Sequence, residues 1–325
     1  MIPAIRSRMT KKLAQELGFD RCGIAAAQPV ARRGYFRTWL DDGKAGSMHY
    51  LHRYFDQRVD PQVLLPGAQS VIVTALLYHR TAPHKDGQSE NSRGFAPDAR
   101  GRVAMYAWGD DYHKVIKKKL FALVDRLRAE VDEPFDAKVC VDTAPILERE
   151  FAAAAGIGWI GKNTLVLDEG LGSYFFLGLI VTTLSLAPDE PATDRCGTCT
   201  ACLDACPTDA FPAAYEMDAT RCISYLTIEH RGDIPESLQP KMGDWVFGCD
   251  ICQEVCPYNR KAPKAQEPRF AVREPGPEPR LHDLLKWTDE QYKDELRGSA
   301  MKRATIDMLR RNARIALGNT TPGGV

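Results

Sequence analysis

What this chain lacks narrows its class first. No stretch approaches the roughly 18 consecutive apolar residues of a bilayer span, so a membrane protein is excluded at the level of sequence. The opening residues, MIPAIRSRMTKKLAQELGFD, contain no apolar core and no small-residue cleavage site, and a mature cytoplasmic protein is expected. Net charge is also missing. The 43 basic residues balance 43 acidic ones, so no global field announces a nucleic-acid or membrane partner, and any such partner must meet a local patch. Cysteine is nearly absent from most of the chain: of ten, only Cys22 and Cys140 lie outside residues 196–256. That distribution excludes a disulfide-stapled secreted scaffold and points to metal.

What is present reads as an α+β protein of mixed layers. The 325 residues, 44% of them apolar, suffice for two domains or one with an appendage. Apolar periodicity predicts helices over 5–18, 30–42, 111–131 and 145–155, and strands over 70–78, 137–143, 164–167 and 174–184. Between them, residues 79–101 are polar and rich in Gly, Pro and Ser, and suit either a surface segment or a lid. Pro-containing linkers flank the cysteine segment, and residues 280–318 are helical in composition. The expected division is 1–187, an α/β layer domain; 188–262, a ferredoxin-like domain; and 263–325, a linker with a short helical segment.

The stretch GIGWIGKNT, residues 156–164, matches G-x-G-x-x-G and the start of a phosphate loop. Both motifs need a strand before the glycines and a helix after them, whose N-terminus meets the phosphate. Here the order is reversed, and Asn163 stands where a Ser or Thr should meet magnesium. A glycine that ends a helix, followed by a tight turn, explains most of the pattern.

The cysteines carry a sharper signal. Cys196, Cys199, Cys202 and Cys206, followed by Pro207, form the C-x2-C-x2-C-x3-C-P run of bacterial ferredoxins, whose fourth thiolate reaches the neighbouring cluster. The second group supplies Cys249, Cys252 and Cys256, with Val246 where its first cysteine would stand. Cys222 completes the count. The expected ligand sets are Cys196, Cys199, Cys202 and Cys256 for one 4Fe-4S cluster, and Cys206, Cys222, Cys249 and Cys252 for the other. Zinc is disfavoured by the absence of spaced C-x2-C arms, and Cys22 and Cys140 read as buried small hydrophobes.

Two clusters carry single electrons, so the long domain before them should hold an acceptor. Flavin and cobalamin both suit, and spacing does not choose between them. The pattern D-x-H-x-x-G of histidine-ligated cobalamin proteins is broken by Ile116, which leaves His113 a helix-face residue. Asp142 follows an apolar strand in CVDTAPILERE. It suits equally a cap for the following helix or a proton donor with a raised pKa at the edge of an apolar pocket.

With RVDPQVLLPGAQSVI, WGDDYH, CVDTAPILERE, AGIGWIGKN, GSYFFLG, CGTCTACLDACPT, RCISYLTIEHRG and GCDICQEVCPYN in this order, the chain resembles the epoxyqueuosine reductases over nearly its whole length. The resemblance implies a cobalamin-dependent enzyme that reduces epoxyqueuosine to queuosine at the wobble position of tRNAs with GUN anticodons. Its plan is also similar to that of reductive dehalogenases, and a dehalogenase-like reductase or a plain two-cluster electron carrier are the alternatives. It implies Asp142 as catalytic acid and cobalamin contacts at Arg58, Ala104, Asp142, Lys162, Val166, Leu177 and Ser224, with GIGWIGKN in the wall of the corrin pocket. An external low-potential electron donor and a monomer are expected. For tRNA, the tail offers a basic stripe that includes Lys302, Arg303, Arg310 and Arg311.

Overall fold

A computed structural model describes residues 1–81 and 98–320. Most of the polar stretch 79–101 therefore lies outside the described residues. Four strands, β1 (Arg21–Ala26), β2 (Ser70–Leu77), β3 (Ala137–Cys140) and β4 (Phe175–Thr182), form a sheet of spatial order β1-β2-β4-β3. All three pairings are antiparallel.

The two central strands are almost wholly apolar because both faces of the sheet are covered. Val71, Val73, Ala75 and Leu77 of β2 point into one apolar cluster, Ile72 and Leu76 into another, with the period of two that a pleated strand imposes. Thr74 is fully buried on the second face and donates its hydroxyl to the Gly178 carbonyl at 2.9 Å, so its polar atom costs little. Helices α1 (Pro3–Glu16) and α2 (Tyr112–Glu130) cover that face, and α3 (Glu148–Ala154) covers the other.

Helix α2 fixes the geometry of the site. Ile116, Leu120, Leu123 and Leu127 form one stripe with no exposed surface, and burial of each contributes about 1.5–3 kcal/mol. At Gly178 of β4 a Cβ would lie 2.6 Å from the Ile116 side chain, so a larger residue there would push the helix off the sheet. Held this closely, α2 presents its first turn, with Tyr112 and His113, beside the residues that leave β3.

The cysteine segment and the tail join the sheet domain by shared packing. The short strand Arg102–Val103 pairs in parallel with Trp245–Phe247, and Val103, Trp108, Phe247 and Leu281 share a cluster with Leu309 and Ala313 of the last helix, α5 (Ile306–Thr320). Val246 is fully buried in the same cluster. Its side chain belongs to this core and its position is unsuited to a cluster ligand. Among the described residues, no helix is long and apolar enough to cross a membrane.

Candidate active site and cluster segment

Asp142 lies just beyond β3 with φ of 50°, a left-handed conformation that non-glycine residues rarely adopt. It caps no helix: α3 begins at Glu148, and Leu147 occupies the cap position. The Asp142 backbone N–H instead donates to Glu148 Oε1 at 2.6 Å, which holds the loop in its strained form. The Asp142 side chain is 56% exposed although many protein atoms surround it, so it faces an open recess of the protein.

His113 supplies what the sequence did not reveal. Its Nε2 lies 3.1 Å from Asp142 Oδ2, and its Nδ1 lies 2.8 Å from Oδ1 of Asp111, the residue that caps α2. A ring between two carboxylates is satisfied only when both nitrogens carry protons. Burial opposes that charge, but the hydrogen bonds to Asp111 and Asp142 raise the imidazole to about 9. For Asp142, burial acts to raise the carboxyl; the hydrogen bond and charge of His113, with Tyr112 and Arg149, outweigh it and hold the group below the ordinary carboxylate range. The expected raised pKa is therefore corrected: an apolar pocket edge would raise it, but a cation in contact reverses the sign. The raised carboxyl is Glu148, pushed up to about 8 by burial and by the neighbouring charge of Asp142.

The remaining candidates for cofactor contact divide. Arg58 is 7% exposed, belongs to no salt bridge, and its buried Nε has no hydrogen-bond partner. Leu177 is the one residue of β4 with an open face, in a strand whose other seven residues are buried. Thr164, at φ of 64°, has a buried Oγ1 with no partner, while its carbonyl accepts from Arg149 at 2.9 Å. Ala104 and Val166, 1% and 5% exposed, present almost no open surface. The Ala104 N–H donates to the Phe247 carbonyl at 2.8 Å, a joint between the sheet domain and the cysteine segment.

Lys162 and Ser224 face the cysteines. Lys162 Nζ donates to the carbonyls of Gly197 and Cys199 at 2.7 and 2.9 Å, and Ser224 hydrogen-bonds the Cys222 thiol. The stretch GIGWIGKNT forms a hairpin, with Trp159–Ile160 paired to Val166–Leu167, so no helix follows the glycines and no phosphate cradle exists. Gly158 is required by the close approach of the Leu167 carbonyl, 2.1 Å from where a Cβ would sit. Trp159 Nε1 donates to Cys196 Sγ at 3.4 Å, and the stretch expected in the corrin wall supports the cysteine loop.

The two expected cysteine sets are each brought together. Cys196, Cys199, Cys202 and Cys256 line one pocket with Lys162, Asn163 and Tyr258. Cys206, Cys222 and Cys249 lie within electrostatic reach of one another, and Cys252 lies within reach of Cys222, Cys249 and Cys202. Arg149 bridges the second set to the cavity, within electrostatic reach of Cys222, Cys252 and Asp142. On the far side Cys199 is exposed.

The basic tail is largely engaged within the protein. Arg311 donates to the carbonyls of Leu226 and His230 at 2.7 and 2.8 Å and also to that of Gly232. Arg310 donates to the Trp287 carbonyl at 2.6 Å and pairs with Asp307. Arg303 forms a two-pronged pair with Glu229 at 2.7 and 2.8 Å. Of the four expected RNA contacts, Lys302 alone is exposed and outside every salt bridge described here. Helix packing thus turns Arg310 and Arg311 towards backbone acceptors, and Lys302, Arg303 and Arg314 are the exposed cations of residues 302–314.

Two cysteine groups of ferredoxin-like spacing beside a carboxylate–imidazole pair suit an iron–sulfur oxidoreductase. Comparison with known proteins gives the same class: residues 195–259 match the family described as "4Fe-4S double cluster binding domain". Residues 58–143 match "Epoxyqueuosine reductase QueG, DUF1730". An epoxyqueuosine reductase of Xanthomonas campestris is 42% identical over 99% of this chain and 88% of its own length. An epoxyqueuosine reductase solved with an epoxyqueuosine-modified tRNA-Tyr stem loop superposes with a TM-score of 0.87 at 31% identity, over 97% of this chain and 82% of that one. The Bacillus subtilis enzyme, solved with its catalytic aspartate loop swung out of the active site, gives 0.86 at 29%, over 97% and 82%. The chain belongs to the epoxyqueuosine reductase family.

Proposed function

We propose that this chain reduces epoxyqueuosine to queuosine at the wobble position of tRNAs with GUN anticodons, with Asp142 as the proton donor. The observation that carries the reading is the Asp142 carboxylate, open to a recess and hydrogen-bonded to a doubly partnered His113 beside the second cysteine set. The named substrate of the relatives agrees with it.

The residues near Asp142 suit a corrinoid by their chemistry. Arg58 and Thr164 offer polar atoms without partners to the amide side chains of a corrin rim, and Leu177 offers an apolar surface. Cobalamin and the two clusters, when bound, supply low-potential single electrons to the carbon–oxygen bond, the electrons entering from an external donor. Conversion of the epoxide to the alkene consumes two electrons and two protons and releases water. The proton held on His113 Nε2 passes across 3.1 Å to Asp142 Oδ2 and from there to the departing oxygen, and the second proton is drawn from solvent through the same pair. Asp111 keeps the imidazole oriented and protonated. Residues 1–187 hold the reacting centre in this reading, 188–262 the clusters, and 263–325 brace both from the tail. The protein acts as a cytoplasmic monomer.

The test is anaerobic purification with cobalamin, metal analysis, and incubation of the reduced holoenzyme with epoxyqueuosine stem-loop RNA. About eight irons and one cobalt per chain are expected, with loss of one oxygen from the RNA by mass spectrometry. Iron without cobalt would transfer the cavity to another acceptor such as flavin, and an unchanged RNA mass would remove the substrate assignment.

A further inference from the structure

Residues 47–55, SMHYLHRYF, place aromatic and basic side chains alternately at the protein surface. Met48 and Leu51 are partly buried in apolar clusters, and Phe55 is buried against Phe36 with ring centroids 5.5 Å apart. These residues anchor the segment. Tyr50 and Tyr54 are left 39% and 43% exposed, beside exposed His49, His52 and Arg53, so the fold does not use their rings for packing.

Tyr50 is placed with care all the same. The Ser47 N–H donates to the Tyr225 hydroxyl at 2.7 Å, which ties the segment to α4 (Ile223–Ile228), the helix that begins after Cys222. The guanidinium carbons of Arg58 and Arg303 each lie 5.8 Å from the Tyr50 ring centroid, the outer limit of cation–π contact. Asp142 and Glu229 are also within electrostatic reach of its hydroxyl. An exposed ring bordered by cations, with its hydroxyl within electrostatic reach of the proposed proton donor, has the makings of a platform for a planar group. Stacking on an aromatic side chain is how proteins hold unpaired bases splayed from an RNA loop.

We propose that Tyr50, bordered by Arg58 and Arg303, is the stacking platform for an unpaired nucleobase of the anticodon loop as the wobble residue enters the cavity. The inference rests on the RNA substrate proposed above. Arg303, paired with Glu229, borders the platform and keeps this side of the mouth electrostatically balanced until RNA phosphates compete for the guanidinium.

The experiment compares the full-length wild-type chain with Tyr50→Phe, Tyr50→Leu and Tyr50→Ala. Binding of a fluorescent anticodon stem-loop RNA is followed by anisotropy at fixed salt, with a duplex RNA lacking the loop as control. A stacking contribution of about 1–3 kcal/mol corresponds to a roughly 5- to 150-fold loss of loop affinity in Tyr50→Ala. Tyr50→Phe should bind within about twofold of wild type and Tyr50→Leu should fall between, with the cluster absorbance and duplex affinity of all three unchanged. Equal loop affinity in Tyr50→Ala, or an equal loss on the duplex, overturns the platform. Failure of the wild-type chain to bind the loop RNA would instead overturn the substrate reading on which it stands.

Discussion

The cavity floor and the last helix both hold charge inside the protein, and they hold it for different ends. On the floor, Asp111, His113 and Asp142 form a chain in which each charge faces another that can exchange a proton with it. On the helix, Arg311 faces backbone carbonyls, which accept hydrogen bonds but exchange nothing. The first arrangement stores a mobile proton. The second closes the ends of other elements and fastens the tail to the segment that carries Cys222. A buried charge is thus read by its partner: a titratable partner signals chemistry, and a fixed dipole signals structure.

The largest expected effect tests the floor. Asp142→Asn keeps the shape and removes the exchangeable proton, so turnover on epoxyqueuosine RNA should fall by about 10²–10⁴, with cluster absorbance and RNA affinity retained. Near-normal turnover would end the acid role. Next comes His113→Gln, expected to slow turnover roughly 10- to 100-fold, since Asp142 can then be reprotonated only from water. The pH profile is the sharper readout. The folded His113 lies at about 9, above its ordinary 6.5, so its ion pairs are complete below the lower value and disappear as pH rises through about 9. Wild-type activity should therefore decline on that alkaline limb and the variant should lack it; an identical limb in both would show that another group titrates.

Much of this architecture was legible in the sequence, and the failures share a cause. Strands β2 and β4 were visible because two-sided burial makes them continuously apolar, and the cysteine sets because cluster geometry fixes short spacings. β1, with the small residues of RCGIAA, gave too weak a pattern to be assigned. Asp142 was found from its motif, but the sign of its shift depends on His113, 29 residues away. The partners of Arg311 were hidden for the same reason: the carbonyl of Leu226 lies 85 residues from it, and no local pattern distinguishes a guanidinium facing solvent from one facing that acceptor. Local chemistry gives the identity of a group, and long-range packing gives its charge state and availability.

The remaining predictions separate structural from available cations. Arg311→Ala leaves several carbonyls without donors and should lower stability by about 2 kcal/mol, a drop of a few degrees in Tm, while RNA affinity measured on the folded protein stays unchanged. A loss of RNA affinity with unchanged Tm would return Arg311 to the binding surface. Lys302→Ala should do the reverse and by less. Lys302 is exposed on the short turn before α5, where removing its ammonium leaves no buried acceptor behind, so Tm should hold. If it meets a backbone phosphate, its loss should weaken stem-loop binding about two- to threefold and make the slope of log affinity against log salt shallower by about 0.7, the counterion release expected for one contact to single-stranded RNA. An unchanged slope would mean that Lys302 touches no phosphate. The RNA would then be held chiefly by the aromatic and cationic rim around Tyr50, to which the tail contributes Arg303.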